Sequence, residues 1–296
     1  MLPATERTDP RYHDIELWPS DVALHALWEA QLGAAAAVGA ALPAIAAAVA
    51  ASVPRLERGG RIAYAGAGTS ARICAQDGAE LTPTFGWPAA RTKLLLAGGT
   101  DALSKAREGA EDDRDGAMQA VAAAGLGADD VLFAVAASGR TAFTCTCLEA
   151  AKARGALTVA LANAADAPLL TAAAHPILVA TGAEPIAGST RLGAGTAQKI
   201  VLNLFSTLLM LRLGHVFRGR MVDMLATNAK LKARAVRMVQ ELAAAGASAA
   251  REALSRTDWN VKAALLVLRG CTAEDARTIL ARHHGDLHAA LAEVDR

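Results

Sequence analysis

Three short segments of this chain combine glycine with serine or threonine where an apolar run gives way to a helical pattern: Gly66-Ala67-Gly68-Thr69-Ser70-Ala71, Ala137-Ser138-Gly139-Arg140-Thr141 and Gly188-Ser189-Thr190-Arg191. Glycine lets a ligand approach the backbone, and the first turn of the following helix offers unpaired N–H groups to an anion. Thr69, Ser70, Ser138, Thr141, Ser189 and Thr190 add hydroxyls. A phosphate monoester, whose oxygens are all acceptors, is the matching ligand, with Arg72, Arg140 or Arg191 supplying positive charge. One such loop is ordinary turn chemistry, but three that can meet at one sheet edge indicate a site. The first also fits the spacing of a dinucleotide fingerprint, yet no acidic residue stands at a strand end about 20 residues on.

The apolar runs RIAYAG, TKLLLAGG, DVLFAVAASGRT, ALTVALAN and HPILVAT predict strands that alternate with helices. Such near-continuous apolar strands belong to a parallel sheet covered on both faces, so the fold class is α/β, doubly wound, with ligands at the carboxyl ends of the strands. Three regions follow. Residues 1–57 form an entry arm and helices, with Ser20 as N-cap and a helix broken or restarted at Pro43. Residues 58–245 form the ligand-binding domain, with a polar helix from Asp101 and an unbroken helical pattern from Gly195 to about Ala245. Residues 246–296 predict a small, UBA-like bundle of three helices.

Thirty Lys plus Arg against 29 Asp plus Glu leave no basic footprint for nucleic acid. Cys74, Cys145, Cys147 and Cys271 lack disulfide or zinc spacing; Cys145 and Cys147 offer two ligands only and read as helix packing with reduced thiols. The first residues carry charges and no apolar core of a secretory signal, and the alanine-rich stretch 31–53 reads as a soluble helix, which points to a cytoplasmic protein without membrane partners.

TERTDPRYHDIE, GAGTSARI, DGAELTPTFG, LLAGGTDALSKAREGAEDD, AASGRT, GSTRLGAGTAQKIVLN and MVDMLATNAKLKARAVR occur in this order along nearly the whole chain. Together they resemble the N-acetylmuramic acid 6-phosphate etherases, within the sugar isomerase (SIS) phosphosugar-binding fold. The resemblance implies that Thr69, Ser70, Ser138, Gly139, Arg140 and Thr141 hold the sugar phosphate, with Ser189 and Thr190 beside them. It also implies a proton-donating acid at Glu80 and a second active-site carboxylate at Glu111, with Asp112 as competitor. By spacing alone, Glu108, three positions before Glu111, shares its helix face and could support substrate hydroxyls. The implied reaction is removal of D-lactate from C3 of the amino sugar by elimination, then addition of water, in cell-wall amino sugar recycling, with no metal or cofactor and a homodimeric assembly.

Several positions depart from the etherase pattern, which has Gly at Ala71, Cys-Pro at Leu81-Thr82, Pro at Ala142 and Lys at Gly193, and a Cys-Asn-Pro-Gly turn that ALANAADAP lacks. Two rivals use the same loops. A phosphosugar-sensing regulator like the glucokinase regulatory protein would not need Glu80, and an aldose–ketose isomerase would need one base. Lys199 on the helix from Gly195 could meet phosphate or an acidic partner, with a surface ion pair as the alternative, and His215 reads as a helix-end cation.

Overall fold

The computed structural model describes residues 4–105 and 107–296; residues 1–3 of the entry arm, and Ala106 inside the LLAGGTDALSKAREGAEDD motif, lie outside the described residues. The alanine-rich stretch becomes two helices, α1 (Ser20–Ala37) and α2 (Leu42–Glu57), separated by a single 3-10 turn, Val38–Ala41. Pro43 sits in the first turn of α2, where its missing N–H has no partner to lose. Ser20 is the first residue of α1 and not its cap: Pro19 precedes it, and no side chain caps this end.

The five apolar runs form five parallel strands: β1 (Ile62–Gly66), β2 (Thr92–Leu96), β3 (Val131–Val135), β4 (Leu157–Ala162) and β5 (His175–Leu178), in the order β2-β1-β3-β4-β5. Between them run α3 (Gly68–Phe85), α4 (Arg114–Ala124), α5 (Ala142–Ala153) and α6 (Pro168–Ala172), and after them α7 (Gly193–Arg212). Alternation within the central strands separates the two faces. Ala63, Ala65, Leu132, Ala134, Ala160 and Ala162 share a core with Phe143, Cys147 and Leu148 of α5 and with Val121 of α4. The small side chains let α5 lie close against the sheet. The opposite face carries Tyr64 and Phe133, the latter edge-on to Phe205 of α7 at 4.8 Å. By length and composition the stretch 20–57 and Gly193–Arg212 are each apolar enough to cross a membrane, but Val201, Leu202 and Phe205 of the latter are fully buried in the protein.

The chain divides into two compact units, one made of residues up to Gly78 with Ala90–Ser206, the other of Ala79–Ala89 with Thr207–Arg296. Helicity in the second unit is not continuous as its apolar spacing suggests. After α7 a two-stranded antiparallel hairpin, β6 (Val216–Phe217) and β7 (Arg220–Met221), intervenes before α8 (Ala229–Ala243). Arg218 and Gly219 both take positive φ, 45° and 73°, which is the backbone of a tight two-residue hairpin turn. The C-terminal residues carry four short helices where three were expected, α9 (Ala247–Arg256), α10 (Val261–Val267), α11 (Ala273–Arg282) and α12 (Leu287–Val294), and they share one core with α8 and the hairpin. His215, read as a helix-end cation, lies 2.8 Å from Asp223, which also meets the buried ammonium of Lys262 at 2.5 Å.

One more expectation changes. Asp101 lies in a 3-10 turn, Thr100–Leu103, and residues 108–112 are turns. The helix starts only at Arg114, where the Asp113 carboxylate accepts from the Gly116 N–H at 2.7 Å. Gly109 at φ 72° breaks any earlier helical run, so Glu108 and Glu111 do not share a helix face.

Two buried carboxylates brace the sheet. Asp77 of α3 accepts from the Tyr64 hydroxyl at 2.9 Å, Asn203 Nδ2 at 2.8 Å and the Ser206 hydroxyl at 3.0 Å, joining α3 to β1 and α7. Burial holds its carboxyl above the ordinary range in spite of these donors. Asp130, at the entrance to β3, accepts from Arg61 Nε and Nη2 at 3.0 and 2.7 Å, and from the N–H groups of Arg61 and Gly127 at 2.8 and 2.7 Å. Burial opposes ionisation there, but the Arg61 side chain and the two N–H groups outweigh it, so this carboxyl sits below its ordinary value. A depressed acid contributes stability above the unfolded-state pKa, about 3.9, and loses it as pH falls through the folded value. Asp130→Ala is therefore expected to lower unfolding free energy by about 3 kcal/mol near neutral pH, with the gap to wild type closing below about pH 4. Denaturant titrations across pH check this; a gap unchanged in acid would show that the carboxylate charge is not what stabilises.

Candidate active site

In a 2-1-3-4-5 sheet the chain leaves β1 towards one edge and β3 towards the other, so a crevice opens outside their carboxyl ends. Both strand ends lead directly into Ser/Thr loops. Gly68 opens α3 at φ 54°, with Thr69 half-buried and Ser70 buried in the first turn. After β3, Ser138, Gly139, Arg140 and Thr141 lead into α5, with Thr141 at its N-cap position and making no side-chain cap bond. The Ser138 hydroxyl accepts from the Arg140 N–H at 3.2 Å, a local turn that shapes this loop. Gly139 stands at φ 62°, and a Cβ there would lie 2.3 Å from the Cβ of Ala167, so only glycine fits. Two helix N-termini thus face one crevice with their first N–H groups.

The third loop adjoins the first. A Cβ placed on Gly195 would stand 3.3 Å from both Thr190 O and Thr69 Cγ2. Ser189 and Thr190 are half-buried, and the loop is tightened by bonds from Gly195 N–H to Thr190 O and from Leu192 N–H to Ser189 O. The start of α7 differs from those of α3 and α5. The buried Glu184 carboxylate accepts from the N–H groups of Gly193 and Ala194, each at 2.8 Å, so an internal anion already occupies that helix end. Sequence reading passed over Glu184; its one signal is an acidic residue a short loop ahead of a glycine-started helix.

Glu111 lies between the first two loops. Its carbonyl accepts from the Phe143 N–H of α5 at 2.9 Å, and its Oε1 stands 3.0 Å from where a Cβ on Gly68 would be. It is exposed, on a cleft of about 140 Å³ that Gly68, Arg72 and Arg107 also line. Asp112, its competitor, is exposed in the same turn, and Glu108 lines a neighbouring depression with Arg107 and Asp113. Glu80 is exposed on α3, three residues after Asp77, and belongs to the second unit, whereas Glu111 belongs to the first.

The arginines divide. Arg72 donates to the carbonyls of Leu103 and Ala102 at 3.1 and 3.3 Å and forms part of the cleft wall. Arg140 turns to Asp166, 2.6 Å away, and to its carbonyl at 3.0 Å. Lys199 donates to the Asn203 side chain and adds positive charge near Asp77. Behind the loops the Ser70 hydroxyl meets Gln198, which in turn meets Asn163; sequence reading singled out neither amide. Cys147 is buried in α5, which pushes its thiol up to about 12, and Cys145 half-buried beside it is also raised by burial, so both are packing groups.

Similarity to known proteins agrees with this geometry. Residues 44–152 match the family model of the glucokinase regulatory protein N-terminal SIS domain, and residues 112–211 match that of the SIS domain. A phosphoheptose isomerase structure from Francisella tularensis superposes with a TM-score of 0.51 at 21% identity, covering 65% of this chain and 98% of its own, which identifies the fold. The protein named N-acetylmuramic acid 6-phosphate etherase from Deinococcus radiodurans is 50% identical over 98% of this chain and 95% of its own length. Its namesake from Streptomyces avermitilis is 43% identical over 88% and 84%. With hydroxyl-rich loops at the switch point of an SIS sheet and identity of this extent over nearly its full length, the chain belongs to the N-acetylmuramic acid 6-phosphate etherase family.

Proposed function

We propose that this protein cleaves the D-lactyl ether of N-acetylmuramic acid 6-phosphate, yielding N-acetylglucosamine 6-phosphate and D-lactate, and that it works in the cytoplasm as a homodimer. The observation that carries the reading is the position of Glu111, with its backbone bonded to α5 and its carboxylate against Gly68 at the start of α3. A sugar phosphate anchored at those two helix ends brings its carbon chain past this carboxylate. Exposed apolar residues along α1, Leu24, Trp28 and Leu32, recur at a helical spacing that suits burial against a second subunit.

The chemistry follows from the substrate's own acidity. Once the ring opens, the C1 aldehyde acidifies the C2 proton, and Glu111 takes it as general base. The electron pair from C2–H forms the C2–C3 double bond as the C3–O bond breaks, and Glu80 delivers a proton to the departing lactate oxygen. Water then adds to C3 of the unsaturated aldehyde and a proton returns to C2, so substrate plus water equals the two products. Thr69, Ser138 and Thr141, with the N–H groups of both first turns, hold the phosphate, and Ser189 and Thr190 close the third side. Gly139 keeps its loop close to Ala167, and Arg140, tied to Asp166, stiffens that loop.

Purified protein incubated with N-acetylmuramic acid 6-phosphate is expected to release D-lactate, and Glu80→Ala to lower that release by about 10³-fold while still binding the sugar phosphate. Binding without release by the unaltered protein would instead fit a phosphosugar-sensing regulator. Gly139→Ala combines an unfavourable φ with a collision at Ala167, and is expected to raise KM about tenfold with a smaller change in kcat. Steady-state kinetics decide this; an unchanged KM would remove the second loop from the phosphate site.

A further inference from the structure

Beneath the first turn of α3 lies a chain of three buried polar side chains that no step of the proposed chemistry uses. Ser70 Oγ stands 2.9 Å from Gln198 Oε1, Gln198 Nε2 stands 3.0 Å from Asn163 Oδ1, and Asn163 Nδ2 stands 3.0 Å from Val179 O. Ser70 is 7% exposed, and Gln198 and Asn163 are each 1% exposed. The backbone of Asn163 also donates to Ala137 O at 2.9 Å, immediately ahead of Ser138. One chain of bonds therefore joins the ends of β3, β4 and β5 to the first phosphate loop through α7.

The direction of this chain is fixed from its far end. A backbone carbonyl only accepts, so the amide nitrogen of Asn163 must face Val179 and its oxygen must face Gln198. Gln198 then has to present its nitrogen to Asn163 and its oxygen to Ser70. An amide oxygen only accepts, so the Ser70 hydroxyl must donate inward. Reversing any one member would set two donors or two acceptors against each other in a buried site.

On the reading that these loops hold a sugar phosphate, we infer that Gln198 and Asn163 are positioning residues that draw the Ser70 hydroxyl proton into the protein, so that Ser70 serves the phosphate through its backbone N–H while its side chain anchors the loop. The hydroxyl donors left for the ligand on this side are those of Thr69 and the neighbouring loops. Gln198 sets how far the first turn of α3 reaches into the crevice, and Asn163 sets Gln198. Neither touches substrate.

The test is a double-mutant cycle between Gln198→Met and Ser70→Ala, read by calorimetric binding of inorganic phosphate and by KM and kcat for lactate release. Gln198→Met alone is expected to weaken phosphate binding and raise KM by about tenfold, leaving kcat within about twofold; in the Ser70→Ala background it should add less than about twofold. Equal effects in both backgrounds, or a fall in kcat with KM unchanged, would overturn the inference. Gln198→Glu supplies a readout that needs no loss of side-chain volume. Protonated, its carboxyl donates to Asn163 and completes the chain; ionised, it sets acceptor against acceptor. Its phosphate affinity relative to wild type should hold at about pH 5 and fall by about pH 8, and Ser70→Ala should abolish that dependence. A dependence that persists in Ser70→Ala would instead report direct repulsion of the anion and contradict the relay. Phosphate binding reads the relay even where lactate is not released, so failure of the etherase reading would be seen separately.

Discussion

A phosphate monoester brings only acceptor oxygens to its site, so whatever holds it must offer donors that no protein group has already claimed. In this fold that constraint selects among superficially equivalent features. Three helices begin at hydroxyl-rich loops on the carboxyl side of one parallel sheet. The N-terminus of α7 is taken by Glu184, and the Ser70 hydroxyl is turned inward to Gln198. The first turns of α3 and α5 remain, and they flank the point where the strand order reverses. Topology and donor availability therefore choose the same crevice.

The proposed catalytic chemistry depends on that choice. A base acting on C2 of an open-chain sugar 6-phosphate is separated from the phosphorus by most of the carbon chain, so it belongs beside the anion site and not within it. Glu111, the base we propose, lies on a turn whose carbonyl is bonded to α5 and whose carboxylate stands near Gly68 at the start of α3. The loop supplies the side chain, while the two helices that flank the proposed anion site set its position. Asp77, buried between β1, α3 and α7, braces the middle of α3 against the sheet.

Much of this was legible in the residues. Apolar strands such as Ile62–Gly66 and Val131–Val135, each of these two followed by a loop of glycine and hydroxyl residues, made both the parallel sheet and the loops at its edge legible. The turn around Glu111 was less legible, because charged residues at helical spacing look helical until Gly109 takes positive φ and Asp113 caps the real helix. The hairpin at 216–221 is similarly hidden in apolar residues that fit either period; only the positive φ of Arg218 and Gly219 decides. The Ser70–Gln198–Asn163 chain could not be read at all. Its members are 128 and 35 positions apart, and a buried amide shows its purpose only when the partners that fix its direction are in place.

The division of labour between the carboxyls is tested most directly by exchange of the C2 hydrogen of N-acetylmuramic acid 6-phosphate in deuterated water, followed by NMR with Glu80→Gln and Glu111→Gln. With Glu111 intact, Glu80→Gln should incorporate deuterium at C2 while lactate stays attached, since the base still works and the leaving group is not protonated. Glu111→Gln should show neither exchange nor release. Exchange that survives in Glu111→Gln would contradict the assignment of Glu111 as the base and move that role to another group.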